Sequence, residues 1–281
     1  TKEQEQKHPD KLCADNFIKY ISKKPGQPFF AALGFYKPHL PWYAPKRWVA
    51  KYPLEQTILP DMIENDLSDV PPIAAQWAMH PRDEETLSRY GLRKEAVRHY
   101  KASISYADEQ VGRVLKAIFN STYNGNTIIV IWSDNGFHLG EKQHWRKFTL
   151  WEEATHVPLI IYDPTIAYNG KVIDTPVSLI DIFPTLEQLA EIPAKEGVDG
   201  RSLINLTKGK ALEEKVPALM TWGKDNHSIR LEEWRYTQYA DGSEELYNHI
   251  SDPNEFRNLI GSEGIEEIRE SLQTKMANII N

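Results

Sequence analysis

Apolar residues recur along the chain in two textures, at spacings of three and four and as short continuous runs, the pattern of helices laid over a buried sheet. Leu12, Phe17, Ile18 and Ile21 give residues 10–24 an apolar helical face, and Pro25-Gly26 predicts its end. Pro28 to Phe35 is a compact apolar run that predicts a buried strand. Residues 36–93 are rich in Pro, Trp and charge with little period, a longer irregular stretch than compact domains keep without a functional reason. Val97, Tyr100, Ile104, Ala107, Val111, Leu115 and Ile118 then predict a long amphipathic helix to Phe119. Thr127–Trp132 and Val157–Tyr162 read as further buried strands, and Ser178–Ala190 as a helix interrupted by Pro184. This alternation predicts an α/β domain over residues 1–200, a mixed or mostly parallel sheet flanked by helices. After Gly200 the runs shorten, at 218–222, 227–231, 234–239 and 245–248, with Asp241-Gly242 as a hairpin turn. Residues 201–281 are thus expected to form a small antiparallel sheet with a closing helix carrying Ile265, Ile268, Leu272 and Ile279.

Charge removes one class of partner. With 33 Lys and Arg against 40 Asp and Glu, the 281-residue chain has a net charge of −7 and no broad basic surface for nucleic acid. No apolar run reaches the roughly 18 residues of a membrane helix, so no membrane partner is expected. The single cysteine, Cys13, excludes an intrachain disulfide or a thiolate metal cluster and reads as a small buried hydrophobe.

The chemistry concentrates after the strand at 127–132. Ligands of open α/β sheets gather beyond the carboxyl ends of strands, where Asp134 and Asn135 follow Trp132. Carboxylate beside amide is a hard-oxygen pair suited to Ca²⁺ or Mg²⁺ far better than to zinc. The plainer alternative is that Asn135-Gly136 is only a tight turn. No alternating strand follows it; instead Lys142, His144, Arg146 and Lys147 cluster. His138 and His144 also read as solvated loop residues, and His156 as a structural histidine at a strand entry. Trp42, Trp48 and Trp77 could form a sugar platform or simply pack the irregular stretch. Asn120, Asn205 and Asn226 open glycosylation sequons.

Ser133-Asp134-Asn135-Gly136, Leu139-Gly140-Glu141, Trp145, Lys147 and Ala154-Thr155-His156-Val157-Pro158-Leu159 resemble the second half of the formylglycine-dependent sulfatases, nearest the iduronate-2-sulfatase-like branch. The stretch from Gly34 to Pro41 resembles the family's Lys-Pro-His-x-Pro loop. Ala102–Arg113 and Ser178–Thr185 resemble two of its helices, and Ile229-Arg230, Trp234–Tyr236, Glu245–Asn248 and Asp252–Glu255 its C-terminal subdomain. The resemblance implies an alkaline-phosphatase-like fold and a sulfuric ester hydrolase acting on a sulfated carbohydrate. It implies Asp134 and Asn135 as Ca²⁺ ligands and Lys147 and His39 as catalytic residues. Lys37, His138, His144, His227 and Arg230 are the implied substrate contacts. A secreted, periplasmic or lysosomal location is implied as well. Asn135 stands where iduronate-2-sulfatases commonly carry His, which bears on the sugar and not on the metal.

The family's nucleophile is a formylglycine made within Cys/Ser-x-Pro-x-Arg, and no such motif occurs in these 281 residues. Cys13-Ala14-Asp15-Asn16-Phe17 lacks both Pro and Arg, and Ser251-Asp252-Pro253-Asn254-Glu255 ends in Glu. The chain, which opens on Thr1, is therefore expected to be a C-terminal part, with a missing N-terminal sulfatase segment as its partner and little activity alone. The rival readings are a phosphomonoester or phosphonate hydrolase on the same scaffold, or a noncatalytic sulfatase-derived fragment.

Overall fold

The computed structural model describes residues 2–24, 26–166, 170–211 and 215–280. Pro25, the expected helix stop, lies outside them. In chain order the elements are α1 (Lys2–Gln6), α2 (Pro9–Ser22), α3 (Lys46–Val49), α4 (Pro72–Ala78), α5 (Asp83–Arg89), α6 (Arg93–Phe119), β1 (Ile129–Trp132), α7 (Glu152–Thr155), β2 (Leu159–Tyr162), α8 (Ile182–Leu189), α9 (Ile204–Thr207), β3 (Ala218–Thr221), β4 (His227–Leu231), β5 (Trp234–Gln238), β6 (Glu244–Asn248) and α10 (Glu266–Ile280). They form two compact units, Thr1–Pro60 with Glu85–Thr127, and Asp61–Glu84 with Ile128–Asn281. The change of texture after Gly200 falls inside the second unit. Among the described residues no helix is long and apolar enough to cross a membrane.

In the first unit α2 packs along α6, burying Ala14, Phe17 and Ile21 against a stripe that includes Val97, Ala102, Tyr106, Val114 and Ile118. Each large side chain so buried contributes about 1.5–3 kcal/mol. His8 caps α2 by accepting the Asp10 N–H at 3.2 Å, with Pro9 in the first turn, where a missing N–H costs nothing. The buried Asp10 carboxylate accepts the backbone N–H groups of Tyr36 at 2.7 Å and Lys37 at 3.0 Å, fixing the loop beyond them. The run from Pro28 to Phe35 is not a strand, and Phe30 is 85% exposed. A strand exists only through a ladder, and the described residues of this unit contain no strand to pair with it. Trp42 packs edge-on to Tyr100, and Trp48 donates to Glu109 at 3.1 Å beneath Lys51.

In the second unit β1 and β2 pair antiparallel, from Ile129↔Tyr162 to Trp132↔Leu159. Residues 133–158 bring the chain back alongside β1 without a crossover, an antiparallel pairing that the expected mixed sheet allows. Strands β3 to β6 form an antiparallel meander in sequence order. Its side chains alternate between two faces as strand geometry requires. Ile229, Tyr236 and Leu246 turn to α10 and pack with Leu272 and Met276. Tyr247 turns the other way, toward Ala74 and Ala78 of α4 and toward Leu150 and Trp151; Trp77 and Tyr239 join this cluster. Pro184 does not interrupt α8, since it is the helix's third residue, where its N–H would lack an intrahelical acceptor. Asn226 is buried; its side chain donates to Lys224 O at 2.8 Å and accepts from Ala240 N at 2.9 Å. Both ends of this sequon amide are therefore structural.

Arg235, on the polar face of β5, is 1% exposed and finds an acceptor for each of its five N–H groups. Nε donates to Glu255 at 2.5 Å, Nη1 to Leu150 O at 3.1 Å and Ser228 Oγ at 3.2 Å, and Nη2 to Glu152 and to Thr155 Oγ1 at 2.9 Å. Glu255 also accepts the Glu152 N–H at 2.8 Å and bonds His249 Nε2 at 2.9 Å. Despite its burial, the Arg235 guanidinium and His249 bring the Glu255 carboxyl down to about 2. Glu245 beneath it accepts from Trp151 Nε1 at 2.7 Å and from the hydroxyls of Tyr239 at 2.9 Å and Tyr247 at 2.8 Å.

Glu153, next along α7, has no such cation. Burial first, then the negative charges of Glu141, Glu255 and Glu152, push its carboxyl up to about 7 from the usual 4.5. Because the folded-state value is raised, ionisation opposes folding: the penalty is absent below pH 4.5 and complete above pH 7. Glu153→Gln is expected to raise stability at pH 8 by roughly 1–2 kcal/mol after solvent screening, and to leave it unchanged near pH 4. Denaturant unfolding at the two pH values measures this, and an equal gain at both would contradict it.

Candidate functional site

Beyond β1 the chain turns through Ser133, whose N–H donates to Pro158 O at 3.3 Å and whose hydroxyl donates to Asn135 O at 2.8 Å. Gly136 then runs against α7, its N–H donating to Ala154 O at 2.9 Å. A Cβ on Gly136 would meet Glu153 O at 2.0 Å, so glycine is required by close approach of two backbones. That is the physical reason for the Asn-Gly pair, and it replaces the tight-turn reading.

The turn presents Asp134 and Asn135 at the edge of the unit. Asp134 is exposed and has no protein partner among the described residues, and it borders a cleft of about 990 Å³ along β2 that is also lined by Glu152, Arg230 and Arg235. Asn135 is half-buried and oriented at both ends: Nδ2 donates to Gly136 O at 2.7 Å, and Oδ1 accepts from Lys147 Nζ at 2.9 Å. Three residues singled out from sequence thus lie together: an unpaired carboxylate, an amide oxygen with one lone pair left, and an ammonium held on that oxygen. Hard oxygens of this kind fit Ca²⁺, which takes six to eight of them, so the pair would supply only part of a coordination sphere.

The loop that delivers Lys147 is stiff. His138 N–H donates to Arg146 O and Gly140 N–H to His144 O, both at 2.9 Å, while Arg146 Nε pairs with Asp83 and Trp145 Nε1 with Glu84, each at 2.7 Å. Lys142 is buried on Asp66 at 2.8 Å.

His138 and His144 are not solvated loop residues. They are 0% and 1% exposed, edge to face with ring centroids 5.2 Å apart, His138 bonded to Thr149 Oγ1 and His144 to Ala78 O, both at 2.9 Å. Burial lowers the basicity of both rings, that of His138 well below the usual range. Neither offers a surface to a substrate; they are struts of the loop. Lys37, in the first unit, is likewise buried, with its ammonium on the carbonyls of Pro41 and, at 3.4 Å, His39. Burial lowers its basicity too. It secures its own loop, on which His39 is exposed, its Nδ1 2.7 Å from Leu40 O and its ring 4.9 Å from that of Tyr36. His227 bonds Thr221 Oγ1 at 2.9 Å, and Arg230 sits 3.6 Å from Glu152 with Nη1 on the carbonyls of Glu232 and Trp234.

Glu152, His249 and Glu255 bring one ligand atom each within 4.8 Å of one another, a grouping the sequence did not suggest. Arg235 already neutralises two of the three, so the trio is an ion-pair cluster. Sequence reading missed it because Glu152 on α7 lies about a hundred residues before His249 and Glu255 in the segment after β6, and no local spacing links them.

Comparison with known proteins identifies the family and the fold. The sulfatase family model matches residues 1–192, and the model for the C-terminal region of N-sulphoglucosamine sulphohydrolase matches residues 140–281. A sulfatase of Formosa agariphila is 40% identical over 253 residues, covering 89% of this chain and 50% of that protein. Human iduronate 2-sulfatase is 35% identical over 218 residues, covering 70% of this chain and 38% of that protein. The chain spans about half the length of such curated relatives. A phosphonate monoester hydrolase of Silicibacter pomeroyi superposes with a TM-score of 0.82 at 22% identity, covering 97% of this chain and 60% of that one. A protein solved in complex with its substrate D-glucosamine-2-N,6-O-disulfate superposes at 0.78 and 19%, covering 96% and 70%. These two likenesses show the alkaline-phosphatase-like fold, and the sequence matches carry the affiliation further: this chain belongs to the sulfatase family.

Proposed function

We propose that the protein is a sulfuric ester hydrolase acting on a sulfated carbohydrate, with Asp134, Asn135 and Lys147 as this chain's share of the sulfate site. The observation that carries the reading is the Lys147 ammonium seated 2.9 Å from the Asn135 amide oxygen, with the exposed carboxylate of Asp134 on the preceding residue. Asp134 and Asn135 would hold Ca²⁺, which when bound supplies Lewis-acid polarisation of the sulfate oxygens. Lys147 is fixed before substrate arrives, so its charge meets the nonbridging oxygens without reorganisation. Sulfuryl transfer loads negative charge onto those oxygens and onto the departing alkoxide, so a preset ammonium favours the transition state over the bound ester. Within the second unit Arg230 and His227 are the proposed substrate contacts with surface to offer. His39, exposed on its own loop in the first unit, is proposed separately as a proton donor to a leaving alcohol, a role its exposure permits. The formylglycine nucleophile belongs to a segment outside these 281 residues on this reading, since no Cys/Ser-x-Pro-x-Arg is present.

Three outcomes follow. The 281-residue chain alone should not turn over 4-nitrophenyl sulfate; turnover at the rate of a whole sulfatase would require a different nucleophile. In the complete enzyme Lys147→Ala should lower kcat/KM by about 10²–10³-fold, the cost of one preorganised donor, with the fold intact. Asp134→Ala should remove both bound calcium and activity. Unchanged kinetics in either variant, or a preference of the parent for a phosphonate monoester over every sulfate ester, would contradict the reading.

A further inference from the structure

Large aromatic side chains left on a surface are informative when they are contiguous and held in place. In the run from Phe148 to Trp151, Leu150 and Trp151 are each 2% exposed, whereas Phe148 is turned outward at 41%. It does not stand alone: Trp222, 39% exposed, stacks on it with ring centroids 4.9 Å apart and planes inclined by 27°.

Both residues are held through their surroundings. Thr149, after Phe148, is tied to buried His138, and Lys147, before it, is tied to Asn135. Trp222 follows β3 at the tip of the β3–β4 hairpin, where its N–H donates to Asn226 O at 3.1 Å. The buried Asn226 side chain in turn bonds Ala240 N at 2.9 Å, tying the tip to the end of β5. Gly223 and Asp225, at φ 69° and 60°, make the tight reversal that sets the indole beside Phe148.

A stacked, rigid, half-exposed aromatic pair one residue from a lysine has the chemistry of a sugar subsite. The C–H face of a pyranose packs on an aromatic face, and an anionic substituent on that sugar is attracted to the neighbouring ammonium. We infer that Phe148 and Trp222 form a platform for the pyranose ring of the substrate, placing its sulfate toward Lys147. This rests on the reading of Lys147 as a sulfate-binding residue and extends it to the carbohydrate. It also relocates the platform that Trp42, Trp48 and Trp77 could have supplied, since those three pack within their own units.

Titration calorimetry on the complete enzyme, with glucosamine 6-sulfate and inorganic sulfate as probes, tests the platform and the sulfate site separately. Trp222→Ala is expected to weaken glucosamine 6-sulfate about tenfold, the loss of one aromatic contact, while inorganic sulfate is unaffected. Trp222→Phe, which keeps an aromatic face, should restore most of the affinity. Lys147→Ala should weaken both probes. The platform is overturned if Trp222→Ala leaves glucosamine 6-sulfate unchanged, if it weakens inorganic sulfate equally, or if the parent binds the sugar sulfate no tighter than inorganic sulfate. The sulfate-site reading is overturned if Lys147→Ala leaves inorganic sulfate binding unchanged.

Discussion

One guanidinium with almost no exposed surface organises the second unit. Arg235 reaches from the C-terminal sheet to Glu152, Thr155 and the Leu150 carbonyl, while Glu255 and Ser228 hold it from its own side. A buried cation without partners would cost several kcal/mol, and so would either carboxylate without the cation. The three charges are therefore stable only in one mutual position, and this fixes α7 relative to β5. Two further bonds reinforce the joint: Glu255 accepts the Glu152 N–H at 2.8 Å, and Glu245 accepts the Trp151 indole N–H at 2.7 Å.

The position of α7 matters because the turn that carries Asp134 and Asn135 hangs from it. Gly136 bonds Ala154 O at 2.9 Å and has room for nothing larger than hydrogen against Glu153 O, so the turn carrying Asp134 and Asn135 goes where α7 goes. The Lys147 side of the site is positioned separately, by the buried His138–His144 pair and the bonds of Arg146 and Trp145 to the segment ahead of β1. Two supports thus converge on the 2.9 Å contact between Lys147 and Asn135. A charge preset in this way is what electrostatic catalysis requires, since a flexible lysine would have to be ordered again in each turnover.

Much of this was legible in the sequence where the signal is local. The period of α6, the spacing of β3 to β6 around Asp241-Gly242, and the hard-oxygen pair after an apolar strand each follow from residues within one turn or one hairpin. The run from Pro28 to Phe35 was misleading because an apolar stretch signals burial and pairing together, and pairing depends on a partner strand that local sequence does not reveal. The exposure of His138 and His144 was misjudged for a related reason: a histidine in a polar loop looks solvated until Thr149 and the Ala78 carbonyl, the latter 66 residues away in sequence, are seen to enclose it. Arg235, Glu152 and Glu255 were invisible as a group for the same cause, and so was the stacking of Phe148 on Trp222.

On these contacts the Arg235 cluster holds the turn bearing Asp134 and Asn135. Hydrogen exchange of the backbone amides in residues 133–158, compared between the parent and Arg235→Met, tests it most directly. The substitution keeps the volume and leaves Glu152 and Glu255 without their cation. Protection is expected to fall at Gly136 and through α7 while α10 and its apolar interface with the sheet keep theirs. Unchanged protection at Gly136 and α7 in a folded Arg235→Met protein would contradict it.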